Sequence, residues 1–307
     1  MNSTNLEIIQ EIEKELKMIK TSKDYFSRPA DFTRTRVFTF ETLFYLICDL
    51  PRQSLSLELH RGLKAINGDL GLKTVGTKSG FSRARQKINW ELFEWINKKL
   101  VSLYYEKQKS LKKWKGFFLK AVDGSIMDII NTPENAVEFG VHKNQYSEVV
   151  QGRIMLQYDV LNKIITRSSL NNISIGEGSI LKDWLGEMQA DDLGIYDRLY
   201  PGSALQYLHE QQGAKYVMRC KLSHNAQVKA FVASKKKEQT VFCHLSDRGI
   251  RDLRARGIEV NKQDGFLVRM LRIELANGQV EVLLTNLLDN KKSVSYTHLT
   301  LPTKRIV

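Results

Sequence analysis

Cysteine is scarce in this sequence. Cys48, Cys220 and Cys243 are the three in 307 residues, far apart and without a CxxC pair. That usage excludes a disulfide framework or a cysteine-rich metal knuckle and fits reduced thiols in a cytoplasmic protein. Long apolar runs are missing too. The longest candidate, FETLFYLICDL, is broken by Glu41 and Asp49 and falls short of the roughly 20 residues that span a bilayer. No basic-then-apolar leader stands at the N-terminus, and no segment repeats. With 42% hydrophobic residues the chain is expected to fold, with length enough for two or three units.

What is abundant is positive charge: 47 Lys and Arg against 34 Asp and Glu give a formal +13. An excess of this size suits a polyanionic partner, because each phosphate neutralised releases condensed counterions. General solubility accounts for the same composition equally well. The local distribution has to decide.

The first hundred residues read as helices. Ile9, Ile12, Leu16 and Ile19 fall at helical spacing, TFETLFYLICDL reads as a buried helix, and SLSLELHRGLKAI follows a serine cap and stops at NGDLG. TKSGFSRARQKI starts a further helix at Thr77 or Ser79 that runs on toward NWELFEWINKK. Its Arg83, Arg85 and Lys87 are candidate DNA contacts, and a solvated basic face is the competing reading. Lys98, Lys99, Lys107, Lys109, Lys112, Lys113 and Lys115 thicken the charge before the pattern changes.

After Gly116 the period shortens. FFLKAVD, the two halves of GRIMLQYDVLNKIITRSSL, LGIYD and KYVMRCK read as strands, with GSILKDWLGEM and SALQYLHEQQG as helices between the later ones. Hairpinned strands followed by alternating helices predict a mixed α/β sheet flanked by helices. From Leu222 to about Leu288 the stretches TVFCHL, GFLVRMLRIEL and QVEVLLTNL predict an all-β insertion.

Two acids occupy equivalent places, Asp123 ending FFLKAVD and Asp197 ending LGIYD. Sites in open α/β sheets form at strand ends, and neighbouring strands would bring these carboxylates together. Paired like charges call for a cation between them, and oxygen-only ligands point to two Mg²⁺, or Mn²⁺. Each acid taken alone also fits an ordinary turn. Asp128 reads as a loop acid, Asp159 as a hairpin cap, Asp191 and Asp192 as closing a helix, and His209 as a core or surface residue on a helix.

In combination, AVDGS, GRIMLQYDVLN and YDRLYPGSALQYLHEQQGAKYVMRCK, with TKSGFSRARQKI upstream, resemble the DDE transposases of bacterial insertion sequences, which have a ribonuclease-H-like core. The resemblance spans most of the chain. It implies an N-terminal helical DNA-binding domain over 1–112, the catalytic core over 113–223 and a β-rich insertion over 224–292. It makes Asp123 and Asp197 the first two catalytic, metal-holding acids, and aligns Arg198 and Tyr200 with an Asp-Arg-Gly-Tyr pattern on the DNA side. Leu199 stands where that pattern has glycine, which would strain the turn if the position needs a positive φ. The implied activity is cut-and-paste transposition: metal-dependent hydrolysis and strand transfer at the terminal inverted repeats of double-stranded DNA, in a homodimer at the nucleoid.

The same resemblance requires a third acid, a glutamate in a Tyr-x2-Arg-x3-Glu-x6-Lys helix after the insertion. No glutamate follows Leu288. VSYTHL, at 294–299, is similar to one translated frame of a transposon-end sequencing adapter, so 293–307 is expected to be a non-native tail and this chain an inactive truncation. A DNA-binding remnant without chemistry and a structure-selective nuclease of the same fold are the alternatives. A two-carboxylate glycosidase would leave the basic excess unexplained.

Overall fold

Apolar side chains repeating every three or four residues near the N-terminus need a partner surface, and in the computed structural model they find it within an all-helical unit. The structure describes residues 3–34, 36–49, 53–68, 76–143, 145, 147–275 and 277–288. The expected non-native tail lies outside them. Two compact units meet at Lys109/Ser110. Among the described residues no helix is long and apolar enough to cross a membrane.

Unit 1 contains α1 (Ser3–Ser22), α2 (Phe40–Cys48), α3 (Leu55–Asn67), α4 (Lys78–Arg85) and α5 (Glu91–Lys107). Its core joins Leu16, Phe40, Leu43, Leu59 and Leu92, all at most 2% exposed. The buried stripe of α1 starts at Ile8, while Ile9 is 40% exposed. Ile8 lies one full turn before Ile12, so the inward face runs Ile8, Ile12, Leu16, Ile19. The expected continuous helix from Thr77 onward is also interrupted. Thr77 caps α4 through Gly80 N–H, but the helix ends at Arg85 and the chain turns before Glu91.

Unit 2 carries β1 (Phe118–Asp128), α6 (Pro133–Phe139), β2 (Val141–Lys143), β3 (Glu148–Asp159), β4 (Ile164–Asn172), α7 (Glu177–Trp184), β5 (Asp192–Tyr196), α8 (Ser203–Gln212) and β6 (Lys215–Cys220). Then follow α9 (Ala226–Ala233), β7 (Glu238–His244), α10 (Asp247–Ala255), β8 (Gly265–Glu274) and β9 (Val280–Thr285). One mixed sheet of nine strands runs β2-β3-β1-β5-β6-β9-β8-β7, with β4 also on β3. Its centre, β4-β3-β1-β5-β6, is antiparallel through β1 and parallel from β1 to β6, with α7 and α8 in the crossovers. This is the ribonuclease-H-like arrangement.

The expected all-β insertion is a mixed segment. Asn225 caps α9 through Val228 N–H at 2.8 Å, and Ser246 caps α10 through Gly249 N–H at 3.1 Å. Its three strands extend the same sheet, because β9 pairs antiparallel with β6. The segment remains rich in strand, and its helices join the main core through Val228, Phe231, Ile250 and Leu253.

Strand alternation sorts the two faces. Val122, Met155, Tyr196 and Met218 join Ile180, Leu181 and Leu205 of α7 and α8 in one cluster. Leu119, Leu193, Ile195 and Val217, the intervening residues, form a second cluster on the opposite face. These faces determine which side of the sheet each candidate site residue occupies.

Candidate active site

β1 does not stop at Asp123. Its antiparallel register with β3 continues to Asp128↔Gln151, so Asp123 sits in mid-strand opposite Leu156. A sequence reading ends the strand at the acid because the apolar run ends there. Pairing on one side alone carries the backbone onward. The parallel pairing of β1 with β5 has its last registered pair at Ala121↔Ile195. Continuing that register by two places brings Asp123 level with Asp197, on strand paths roughly 4.8 Å apart. Both acids share the parity of Leu119, Leu193 and Ile195, so both carboxylates belong to the face of the second cluster. Asp123 is exposed and Asp197 half-buried.

Asp197 opens a turn. Its Oδ1 accepts from Leu199 N–H at 2.7 Å, and its carbonyl accepts from Tyr200 N–H at 3.3 Å. Leu199 does not take a positive φ, so the position expected to need glycine accepts leucine, whose side chain is 68% exposed. Arg198 is exposed beside it, and Tyr200 turns inward to 5% exposure.

Behind this turn lies a group that the sequence reading did not single out. The Tyr200 hydroxyl donates to Glu177 Oε2 at 2.9 Å, and Arg153 Nη1 donates to Glu177 Oε1 at 2.9 Å. Arg153 Nε also donates to the Ile175 carbonyl at 2.8 Å. Glu177, the first residue of α7, packs against β1 at Gly124, where an added Cβ would stand 2.5 Å from its Cδ. Gly124 and Arg153 have the parity of Val122 and Met155, so Glu177 lies across the sheet from the Asp123 side chain. Burial is the main cause of the raised pKa of the Tyr200 hydroxyl, with Glu177, Asp123 and Asp197 adding negative charge around it. That hydroxyl is therefore a proton donor throughout the working pH range.

Asp123 and Asp197 thus stand at corresponding places on neighbouring strand paths, with Arg198 on the turn after Asp197 and Tyr200 turned into the core on the other face. Arg83 and Arg85 are exposed on α4 in unit 1. Lys87 is not on that helix. It pairs with Asp31 at 3.4 Å, with its side chain 38% exposed, and lies 5.5 Å from the centre of the Phe32 ring. Asp128 accepts from Gln151 at 2.8 Å, and Asp159 accepts from Asn162 N–H at 3.1 Å while facing Lys120 at 3.5 Å. Asp191 pairs with Lys113. Asp192 starts β5 with its carboxylate on Gln189 N–H. His209 is fully buried between Tyr196 and Tyr216.

The donor set of the acid pair, two adjacent carboxylates without sulfur or imidazole, matches the oxygen preference of Mg²⁺ or Mn²⁺. Among the described residues no group of three or more His, Cys, Asp or Glu converges to complete such a shell. Glu177 does not, because it faces the other side and is held by Arg153 and Tyr200. Its signal in the sequence was only an acid in the first turn of a helix, the pattern that also serves the helix dipole. Arg153, a cation with the parity of buried Met155, was the stronger clue.

No protein-family profile matches the sequence, and no curated protein does. Among solved structures the chain is distantly similar to a piggyBac transposase synaptic complex with hairpin DNA, at a TM-score of 0.35 and 10% identity. The match covers 97% of this chain and 54% of that one, so the chain spans about half the length of that neighbour.

Proposed function

We propose that this protein is a DNA transposase that hydrolyses and rejoins phosphodiesters at the ends of a mobile element, as its motifs imply. The observation that supports the reading is the parallel register of β1 with β5, whose last pair, Ala121↔Ile195, stands two places before both Asp123 and Asp197 in a ribonuclease-H-like sheet. Two carboxylates presented side by side would repel a phosphodiester substrate unless a cation lay between them. Asp123 and Asp197 would hold the divalent ions, which when bound stabilise charge on the attacking and leaving oxygens of an in-line displacement. Glu177 and Arg153 fix Tyr200, and Tyr200 fixes the turn that presents Asp197. Arg83 and Arg85 of the helical unit, and Arg198 beside Asp197, would contact the DNA backbone, with a homodimer bridging two element ends.

The test is direct. Calorimetric titration of the chain with Mn²⁺ should show binding that Asp123→Asn and Asp197→Asn each weaken by about tenfold or more, the loss of one charged ligand. Each variant should keep its affinity for DNA. Binding unaffected by either change would remove these residues from the site. In a protein that also carries the third acid of the motif, metal-dependent nicking that depends on terminal inverted repeats supports a transposase, and indifference to sequence supports a nuclease of the same fold.

A further inference from the structure

Beside the acid pair, the ends of β6 and β9 and the Asp197 turn enclose a groove of about 490 Å³. Its charged lining is Arg198, Arg219 and Lys221 against one carboxylate, Glu281. The register of β5 with β6 ends at Tyr196↔Met218, so one further place sets Arg219 level with Asp197. Arg219 has the parity of Val217 and thus the same face as Asp197 and Asp123. Across three neighbouring strand paths the sheet therefore presents acid, acid, base in one row. The guanidinium of Arg219 is turned toward β9, where it pairs with Glu281.

We infer that this groove seats the backbone phosphates of the DNA strand next to the phosphodiester presented to Asp123 and Asp197, with Arg219 and Lys221 as the phosphate contacts. The inference rests on the function proposed above and adds the path of the strand. A guanidinium is the group best shaped to take two oxygens of one phosphate, and its half-exposed position lets it exchange a carboxylate for that ligand. Lys221, exposed one step beyond Cys220, supplies a second point charge. Leu222, 41% exposed, and half-buried Val280 also line the groove and give sugars an apolar wall, which a site for a single small anion would not need. Glu281 keeps Arg219 ordered, and its negative charge opposes the incoming strand.

The experiment uses the full chain and a short fluorescein-labelled single strand, without divalent ion so that no cleavage intervenes. Anisotropy titrations over a range of salt should show the Arg219→Ala, Lys221→Ala double variant losing about 1.4 from the slope of log affinity against log salt, roughly 0.7 for each phosphate contact on a single strand. Arg219→Lys should keep most of the slope, and Glu281→Gln should tighten binding. A benzophenone side chain introduced at Leu222 should crosslink to the strand, and unlabelled DNA should compete where inorganic phosphate does not. An unchanged slope in a folded double variant, or no crosslink at Leu222, overturns the proposal. If the double variant does not fold, the crosslink decides alone. Normal Mn²⁺ binding with an unchanged slope removes the groove and spares the acid site. Groove binding without any role for Asp123 and Asp197 in metal binding does the reverse.

Discussion

Glu177 Oε2 receives the hydroxyl of Tyr200 at 2.9 Å while its other oxygen is held by Arg153, so one carboxylate ties α7, β3 and the turn after Asp197 together. Removing the hydroxyl leaves a largely buried carboxylate oxygen short of a donor. Tyr200→Phe should therefore destabilise unit 2 by about 1–2 kcal/mol, read from urea midpoints. It should also weaken Mn²⁺ binding at the acid pair, which a purely structural tyrosine would not do.

Gly124 offers a second way to disturb the same group. A methyl there would meet Glu177 Cδ at 2.5 Å, and Glu177 cannot retreat without releasing Arg153 or Tyr200. Gly124→Ala should cost about 1–3 kcal/mol, the range for overpacking. Combined with Tyr200→Phe it should cost less than the sum, since both act through Glu177. Full additivity in a double-mutant cycle would show that the two contacts are independent.

His209 lies 0% exposed between two tyrosine rings, at 5.4 Å from Tyr196 and 5.1 Å from Tyr216. Burial lowers its pKa to about 3, with a hydrogen bond to the Ala214 backbone opposing the shift. The unfolded chain takes up a proton near pH 6.5 that the folded protein refuses. His209 thus subtracts stability as pH falls from about 6.5 toward 3, by about 1.4 kcal/mol per pH unit at most, and subtracts none of this kind above pH 6.5. His209→Phe should flatten that part of the acid limb in denaturation curves measured at several pH values. An acid limb identical to that of the unmodified protein would contradict the assignment.

At the opposite end of β1, Lys120 lies between Asp159 at 3.5 Å and Asp192 at 3.8 Å, with the first two side chains 6% and 0% exposed. Lys120→Met removes the cation and leaves Asp159 buried. The expected loss is about 3 kcal/mol, at the lower end for a broken buried pair because Asn162 still donates to Asp159. Adding Asp159→Asn should return part of it.

The corresponding positions of Asp123 and Asp197 were readable because each aspartate ends an apolar run, and that ending is where β5 stops beside β1. The continuation of β1 to Asp128 was not, since residues paired on one side and open to solvent carry no apolar signature. Nor could local sequence reveal Glu177, whose partners lie 24 and 23 positions away across a sheet. The missed α9 and α10 are a different kind of error: Asn225 and Ser246 are readable caps, overridden by the strand-like runs on either side. Leucine at 199 looked strained only on the assumption of a left-handed turn, which the backbone does not make.

The two acids are mounted differently. Asp123 belongs to a strand bonded along its length to β3, whereas Asp197 stands just past the last residue of β5 on a turn braced chiefly by Tyr200. One is a fixed jaw and the other a hinged one. On the function proposed above, the spacing of the two acids would be set from behind, through a tyrosine and a glutamate on the other face of the sheet, and loosening that pair would change which ion they could hold.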